Sequence, residues 1–258
     1  MDNNSIKWFN SPKNLNRVKK SQAHIRRKIA RNKYIIIKIK KLLSCKKIQK
    51  LINHCMKYET FGKDIEEPIQ KFLEKKLKNI KFQFASNKNV YPDIKLPDYD
   101  ISIDIKSGST KNKDGDIFKK VTNSCNDLGT INSWITKKIH QSKKHYLIFV
   151  KYTPDDYGNN IKIDEIYFNH IYYFVGMKNN ILSYREKDGN LRPKSFHEFN
   201  NSNIKDYKHF LECLHNTDKI RAKKICKKKY DYLKNILSEE ELIQFTKILF
   251  DSLSQKHN

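Results

Sequence analysis

The sequence predicts an α/β (α+β) protein with a mixed central β-sheet flanked by helices. Three observations predict this fold: a basic amphipathic segment near the start, a central series of short apolar strands divided by one helical stretch, and a helical end. The length suits one large domain spanning residues 1–258. Within it we distinguish a basic helical N-terminal region at 1–60, an α/β core at 61–200 and a helical C-terminal region at 201–258.

The formal net charge of +25, from 53 Lys and Arg against 28 Asp and Glu, points to a polyanionic partner. A surplus of this size repels itself in the folded state unless counterions or a polyanion offset it, and nucleic acid is the usual polyanion. Only seven of the 53 basic residues are Arg, which is typical of an AT-rich genome. Such a bias explains Lys in place of Arg, but it does not explain the shortage of acids.

The five cysteines are scattered and form no Cys-x-x-Cys pair, which disfavours a zinc ribbon and favours a reduced cytoplasmic protein. The first ten residues lack the basic and apolar segments of a signal peptide. No run of about 18 apolar residues occurs, so we expect no membrane-spanning segment. A basic amphipathic helix can lie on a membrane surface, but the flanking chain here is basic too, which favours DNA or a solvated face over a membrane partner.

The N-terminal region reads as a basic helix over residues 15–57. Val18, Ile25, Ile29 and Ile36 recur at helical spacings, with Lys and Arg between them. The β-branched run at 34–39 leaves a strand open as an alternative there.

A second helix is predicted over residues 64–78. Asp64 is the expected N-cap, and Pro68 falls within the first turn, where a missing N–H costs little. The residues spaced for one apolar face are Ile65, Ile69, Phe72, Leu73 and Leu77.

The elements after residue 80 alternate apolar runs with turn signals. We expect strands near 80–85, 89–95, 99–106, 145–152 and 163–175, a turn at 96–98, a polar loop at 107–116 and a mainly helical stretch at 117–140. We also expect a tight hairpin turn at 178–180 with a return strand at 181–185, a turn at Asp188 and Gly189, and two or three helices within 204–256.

The segment at 91–106 carries the residues suited to chemistry. Side chains of a strand alternate between its two faces. One face would hold Tyr99, Ile101, Ile103 and Ile105, and the other Asp100, Ser102, Asp104 and Lys106. Asp104 and Lys106 are therefore neighbours, and Asp93 lies opposite them if the two strands form a hairpin. Asp100 shares that face, but a solvated acid beside the turn is the stronger interpretation.

Two carboxylates on adjacent strands can hold Mg²⁺, which prefers a few carboxylate oxygens and retains water. The metal polarises a phosphate and activates a bound water, while a neighbouring Lys positions or deprotonates that water or neutralises charge. An acid-x-Lys triplet also occurs at Glu74, Asp93 and Asp206. Only Asp104 and Lys106 lie in an alternating strand with an acid on the strand before it.

This segment resembles the PD-(D/E)XK nuclease superfamily. Pro92 and Asp93 match the first element, and Asp104, Ile105 and Lys106 match the second after ten intervening residues. The resemblance covers roughly residues 60–152. It implies a restriction-endonuclease-like core, one or two Mg²⁺ ions on Asp93, Asp104 and the carbonyl of Ile105, and Lys106 beside the attacking water.

Members of the superfamily often carry a Glu in the preceding helix, and the spacing from Gly62 to Glu66 fits that pattern. Helical phase puts Glu66 beside the apolar stripe, where it can reach the metal site or its water shell, and puts Glu67 on the solvated face with Lys71. An alternative role for Glu66 is a first-turn acid that favours the helix dipole.

Chain length, charge and the additional strands look most like a type II restriction endonuclease. This likeness implies a prokaryotic, cytoplasmic enzyme that cuts double-stranded DNA at a specific, palindromic site, acts as a homodimer and works beside a cognate DNA methyltransferase. A repair or junction-resolving nuclease of the same fold, and a non-catalytic nucleic-acid-binding protein, remain open.

Four further residues are candidates for DNA contact. Ser107 and Ser109 follow Lys106 in a small polar segment that can approach a phosphate, although a plain loop is an equal alternative. Arg192, with Lys194 beside it, follows a turn and is followed by Pro193, so it is a candidate base reader. A phosphate contact or a solvated Arg stays open. His24, His140 and His145 are interpreted as surface or structural residues.

Overall fold

A computed structural model describes residues 12–53, 61–86, 91–110, 144–155, 160–186, 189–194, 198–244 and 247. The helices are α1 (Pro12–Leu43), α2 (Lys46–Asn53), α3 (Phe61–Asp64), α4 (Glu66–Lys76) and α5 (Tyr207–Ile236). The strands are β1 (Gln83–Phe84), β2 (Ile94–Leu96), β3 (Ile101–Ser109), β4 (His145–Pro154), β5 (Ile161–His170), β6 (Met177–Lys178) and β7 (Ile181–Leu182). The helix predicted at 117–140 lies outside the described residues.

The basic N-terminal helix is confirmed as far as residue 53, in two parts separated at Ser44 and Cys45, and residues 54–57 lie outside the described residues. Residues 34–39 are helical and not a strand, because α1 buries the helically spaced Ile35, Ile39 and Leu43 in one core. The predicted apolar repeat does not continue this buried face: Ile25 and Ile29 are exposed among the Lys and Arg of the first half of α1.

The helix predicted at 64–78 is confirmed with a break. The expected N-cap at Asp64 is wrong, because Asp64 ends α3 and Ile65 precedes α4. Ile65 has helical dihedral angles and is buried, so packing of its side chain and not a polar cap fixes the start of α4. Pro68 lies in the first turn as predicted. All five residues of the predicted apolar stripe are buried: Ile65, Ile69, Phe72, Leu73 and Leu77.

The predicted mixed sheet is confirmed as five strands in the order β1-β2-β3-β4-β5. The pair β3–β4 is parallel and the other three pairs are antiparallel. Helices flank this sheet, which gives the α/β architecture that the order of elements predicts.

Several strand limits differ from the prediction. Residues 107–109, expected in a loop, continue β3 because they pair in register with β4, and 111–116 lie outside the described residues. Tyr99 and Asp100 are not in the strand: Pro97–Tyr99 forms a 3₁₀ turn, and Asp100 adopts a left-handed conformation with φ of 53° and is exposed. Strand β5 ends at His170 in a second 3₁₀ turn instead of reaching Val175.

Each face of the sheet has its own apolar core. Alternation along β3 and β4 sends Ile103, Ile105 and Ile148 toward the core that contains the buried faces of α1–α4. It sends Leu147 and Phe149 toward a second core. That second core is rich in aromatic residues and includes Tyr91, Tyr167, Phe174, Phe199 and Phe210.

The hairpin turn predicted at 178–180 is confirmed. Asn179 and Asn180 have φ of 52° and 57°, and they connect the antiparallel strands β6 and β7. Two positive φ values are what a tight hairpin turn requires, and Asn tolerates them. Gly189 also has a positive φ of 76°, as the predicted second turn needs, whereas Asp188 lies outside the described residues.

The C-terminal region is one long helix, α5, followed by a second helical segment that begins at residue 239. Asp206 caps α5 by accepting a hydrogen bond from the amide of His209 at 2.8 Å. No helix among the described residues has both the length and the apolar composition that a bilayer crossing demands.

Thr217 joins α5 to the small hairpin. Its buried hydroxyl accepts a hydrogen bond from the amide of Leu182 at 2.9 Å and donates one to the carbonyl of Cys213 at 2.7 Å. We expect Thr217→Val to lower the free energy of unfolding by about 1–3 kcal/mol, because it leaves the Leu182 amide buried without an acceptor. Chemical denaturation measures this loss. Thr217→Ser keeps the hydroxyl and should lose less; equal losses for Val and Ser would contradict the hydrogen-bond account.

Candidate active site

Asp93 and Asp104 face each other across the β2–β3 pair. Ile94 pairs with Ile103 and Leu96 with Ile101, so extending that register by one residue sets Asp93 opposite Asp104. The Asp93 carboxylate accepts a hydrogen bond from the amide of Ile105 at 2.6 Å. This bond fixes the Asp93 side chain against the backbone of the strand that carries Asp104.

Lys106 completes the group, as the strand alternation predicts. Its ammonium nitrogen lies 2.9 Å from a carboxylate oxygen of Asp104. The Asp104 side chain is fully buried, whereas that of Lys106 is 23% exposed. Asp93, with 4% of its surface exposed, is also buried. The lysine therefore stands between a buried acid pair and solvent, which is where a substrate would enter.

Burial and repulsion between carboxylates dominate the electrostatics. Burial raises the pKa of Asp93 to about 9, and the charge of Asp104 and a hydrogen bond with its side chain act in the same direction. Lys106 and the Ile105 amide oppose this shift without cancelling it. Two carboxyl groups this close in a site poor in water cannot both ionise easily unless further positive charge is supplied.

The pKa of Lys106 shifts in the direction that keeps it charged. Burial alone would lower it, but the charges of Asp104 and Asp93, the hydrogen bond to Asp104, and the charge of Glu66 together raise it. The ammonium form is thus the form that the site stabilises at neutral pH.

The donor set fits a hard divalent cation. Two buried carboxylates offer the oxygen ligands that Mg²⁺ prefers, and a +2 charge would relieve the repulsion that raises the pKa of Asp93. The described residues contain no group of three or more His, Cys, Asp or Glu arranged for a metal. A cation between Asp93 and Asp104 would therefore need further oxygen ligands, and the carbonyl of Ile105 stays a ligand that the family resemblance implies.

Glu66 approaches the site from the lysine side. The apolar stripe of α4 packs on the sheet face that carries Ile103 and Ile105, while Asp104 and Lys106 project from the opposite face. The Glu66 charge nevertheless contributes to the raised pKa of Lys106. Glu66 is therefore near enough to act on Lys106 electrostatically, and its role at the metal site or its water shell stays a prediction.

Glu67 points away from the site, as helical phase predicts. It pairs with Lys71 at 2.5 Å, and both side chains are about 70% exposed. The two adjacent glutamates consequently have different surroundings, which makes them a matched pair for mutagenesis.

Tyr91 and His145 are neighbours of the acid pair that the sequence did not reveal. The Tyr91 hydroxyl hydrogen-bonds Nδ1 of His145, and both residues are buried. Burial and the nearby charges of Asp104 and Asp93 hold the pKa of Tyr91 well above its usual range. The sequence shows only that a polar residue, His145, begins an apolar strand. Its position beside the acids follows from the parallel pairing of His145 with Ser102, and no local sequence pattern predicts that register.

Ser107 and Ser109 extend β3 beyond Lys106. Ser107 is half-buried, and Ser109, the last residue of β3, is buried. By alternation both share a face with Ile105 and not with Lys106. Their contact with DNA stays a prediction, and it requires access from the helix-covered side of the sheet.

Arg192 and Lys194 are not brought into the acid pair's group. The Arg192 amide donates to the carbonyl of Ser183 at 2.7 Å, which ties this segment to the β6–β7 hairpin. The Lys194 ammonium donates to the carbonyl of Asn201, and burial lowers its pKa despite the opposing charge of Glu198. A role for Arg192 in base readout stays a prediction.

The raised pKa of Asp93 predicts a pH-dependent stability in metal-free protein. The ordinary pKa is 3.8 and the folded value about 9, so the folded state binds this proton more tightly than the unfolded state. The resulting stabilisation is complete below about pH 4 and is lost as the pH rises through about 9. Asp93→Asn lacks this titration. In EDTA, the melting temperature of the wild type should therefore fall relative to that of Asp93→Asn between about pH 5 and about pH 9; a constant difference would contradict the shift.

The chain is similar in structure to a known restriction endonuclease, whereas its sequence matches no known family model. No protein-family model matches the chain, and no curated protein matches it. Among solved structures, the chain is similar to the NlaIV restriction endonuclease, at 15% identity and a TM-score of 0.42. That similarity covers 62% of this chain and 64% of the other, so the chain spans less than two thirds of that protein.

Proposed function

We propose that this protein is a Mg²⁺-dependent endonuclease that hydrolyses phosphodiester bonds in double-stranded DNA. The observation that carries the proposal is the buried pair of Asp93 and Asp104 with the Lys106 ammonium 2.9 Å from Asp104. Burying two acids disfavours the folded state unless Asp93 keeps a proton or a cation offsets its charge, so a protein that only bound DNA through basic surface would gain nothing from them. A divalent cation bound between the two carboxylates would offset this cost.

Each residue of the site has a distinct part in the proposed reaction. Asp93, Asp104 and the carbonyl of Ile105 would hold Mg²⁺, which supplies Lewis-acid polarisation of the phosphate and a bound water of lowered pKa. The hydrogen bond from the Ile105 amide keeps the Asp93 carboxylate aimed across the strand pair. That fixed geometry allows the site to act without rearranging its ligands.

Lys106 acts as a cation in this scheme. Its pKa is raised, so it is protonated at neutral pH and donates hydrogen bonds. From its position beside Asp104 it can orient the attacking water and offset the negative charge that develops on the phosphate. Positioning and charge neutralisation are therefore favoured over proton abstraction by this lysine.

The proposal extends to the substrate and the biological role of the protein. The net charge of +25 supports a polyanionic substrate, and the mixed sheet with flanking helices suits a type II restriction endonuclease that reads a specific, palindromic site. A homodimer would match that symmetry, and a cognate DNA methyltransferase would protect the host's own sites. A repair or junction-resolving nuclease with the same acid pair is the second candidate.

We expect Asp104→Asn to abolish cleavage of plasmid DNA in Mg²⁺, a loss of about a hundredfold or more, while retaining DNA binding. The substitution removes a metal-ligand charge and leaves the basic surface unchanged. Gel analysis of the plasmid measures cleavage, and fluorescence anisotropy with a labelled duplex measures binding. Lys95→Ala, which changes an exposed lysine on β2, is the matched control and should stay active.

The pattern of products separates the candidate functions. Discrete fragments from the wild type indicate site-specific restriction, and preferential cutting of branched DNA indicates a junction-resolving nuclease. Binding without cutting in Mg²⁺ or Mn²⁺ would refute the enzyme proposal. Equal activity of Asp104→Asn and wild type would refute the site.

Glu66 and Glu67 provide a second test of the site. Glu66→Gln should slow single-turnover cleavage by about tenfold or more, roughly 1.4 kcal/mol in the barrier, because its charge acts near Lys106. Glu67→Gln loses only an exposed pair with Lys71 and should cleave at nearly the wild-type rate. Equal rates for the two variants would show that Glu66 serves only the helix terminus.

A further inference from the structure

A cleft lined by basic side chains lies between α1 and the 3₁₀ turn at Pro97–Tyr99. Its cavity has a volume of about 320 Å³. The residues that line it are His24, Arg27, Lys28, Arg31 and Asp98. The four from α1 are spaced by three, one and three residues, so they occupy one face of the helix and converge on the turn.

Tyr99 fixes one wall of this cleft. The Arg31 guanidinium lies 4.5 Å from the centre of the Tyr99 ring, in a cation–π contact. The Tyr99 carbonyl accepts hydrogen bonds from the side-chain amide of Asn32 and from the Lys144 ammonium, each at 3.1 Å. Because Tyr99 is itself buried, these contacts hold Arg31 and Lys144 against the turn.

Positive charge exceeds negative charge around the cleft. The cations that line it are Arg27, Lys28 and Arg31 and the acid is Asp98, which gives three minus one, or a net +2 with His24 neutral. Burial lowers the pKa of Lys144; Lys28 lowers it further, and Asp100 opposes the shift. Lys28 and Lys144 are therefore close enough to repel each other, and an anion between them would relieve that repulsion.

We propose that this cleft binds a backbone phosphate of duplex DNA. The proposal rests on the proposed function, because it assigns a contact to that enzyme's substrate. One phosphodiester carries a single negative charge, which the net +2 of the cleft can neutralise. Guanidinium groups bind phosphate oxygens through paired N–H donors, and such contacts set the register of a protein on DNA without reading bases.

The cleft is separate from the chemical step. Three residues of β3, about 10 Å, separate Ile101 at the turn from Asp104. Loss of the cleft should therefore weaken DNA binding and leave the cleavage rate at saturating enzyme close to that of the wild type. Substitutions in the cleft should therefore change the Kd for DNA, whereas substitutions in the acid pair should change the cleavage rate.

The test compares two double substitutions of equal charge on the same helix. Arg27→Ala with Lys28→Ala removes two cations from the cleft, whereas Arg26→Ala with Lys33→Ala removes two exposed cations from the opposite face. Both pairs are made in the Asp104→Asn background so that the DNA stays intact. Anisotropy with a fluorescein-labelled duplex, over a series of KCl concentrations, gives the Kd and its salt dependence.

We expect the cleft pair to raise the Kd about tenfold and to reduce the slope of log Kd against log salt by about one, and the control pair to raise the Kd about threefold or less. Circular dichroism and melting temperature verify that each variant is folded. Arg31→Lys, which keeps the charge and loses the guanidinium fork, should bind with intermediate affinity.

If both double substitutions raise the Kd equally while the wild type still cuts DNA, the cleft does not bind the phosphate and the nuclease proposal stands. If only the cleft substitutions weaken DNA binding and the wild type does not cut DNA, the phosphate site is supported and the nuclease proposal is refuted. If the cleft substitutions weaken binding of a duplex RNA of the same sequence and leave binding of duplex DNA unchanged, the assignment to DNA is wrong.

Discussion

The hydrogen bond from the Ile105 amide to the Asp93 carboxylate is the interaction on which the proposed site depends. It joins the residue before β2 to the backbone of β3, and it holds a buried acid opposite Asp104. Without it, repulsion from Asp104 would favour turning Asp93 toward solvent. The bond thus maintains two carboxyl groups in an arrangement that a cation would stabilise.

The rest of the fold supports this arrangement from both faces of the sheet. Strands β3 and β4 pair over eight residues, and each face of the sheet is covered by an apolar core. That rigidity prevents the acids from separating, while the partial exposure of Lys106 leaves a route for substrate. Residues 12–53, which contain α1 and α2, carry 15 Lys and Arg and no acid. Many of these basic residues are exposed, where a polyanion could reach them.

Local periodicity explains what the sequence could predict. A period of two fixed Asp104 and Lys106 on one face, and a short connection placed Asp93 opposite them. A helical period likewise separated Glu66 from Glu67. The left-handed Asp100, the uncapped start of α4 and the contact between Tyr91 and His145 were not predictable, because each depends on residues distant in sequence. The basic cleft was likewise not predictable, since the sequence of α1 does not show that the helix contacts Tyr99.

The most direct test of the account is anomalous X-ray diffraction from crystals grown with Mn²⁺, which takes the same oxygen ligands as Mg²⁺. The account predicts a Mn²⁺ peak bonded to carboxylate oxygens of Asp93 and Asp104 and to the carbonyl of Ile105, with Lys106 near a metal-bound water. A peak that contacts only one of the two aspartates, or no peak between them at saturating Mn²⁺, would contradict it.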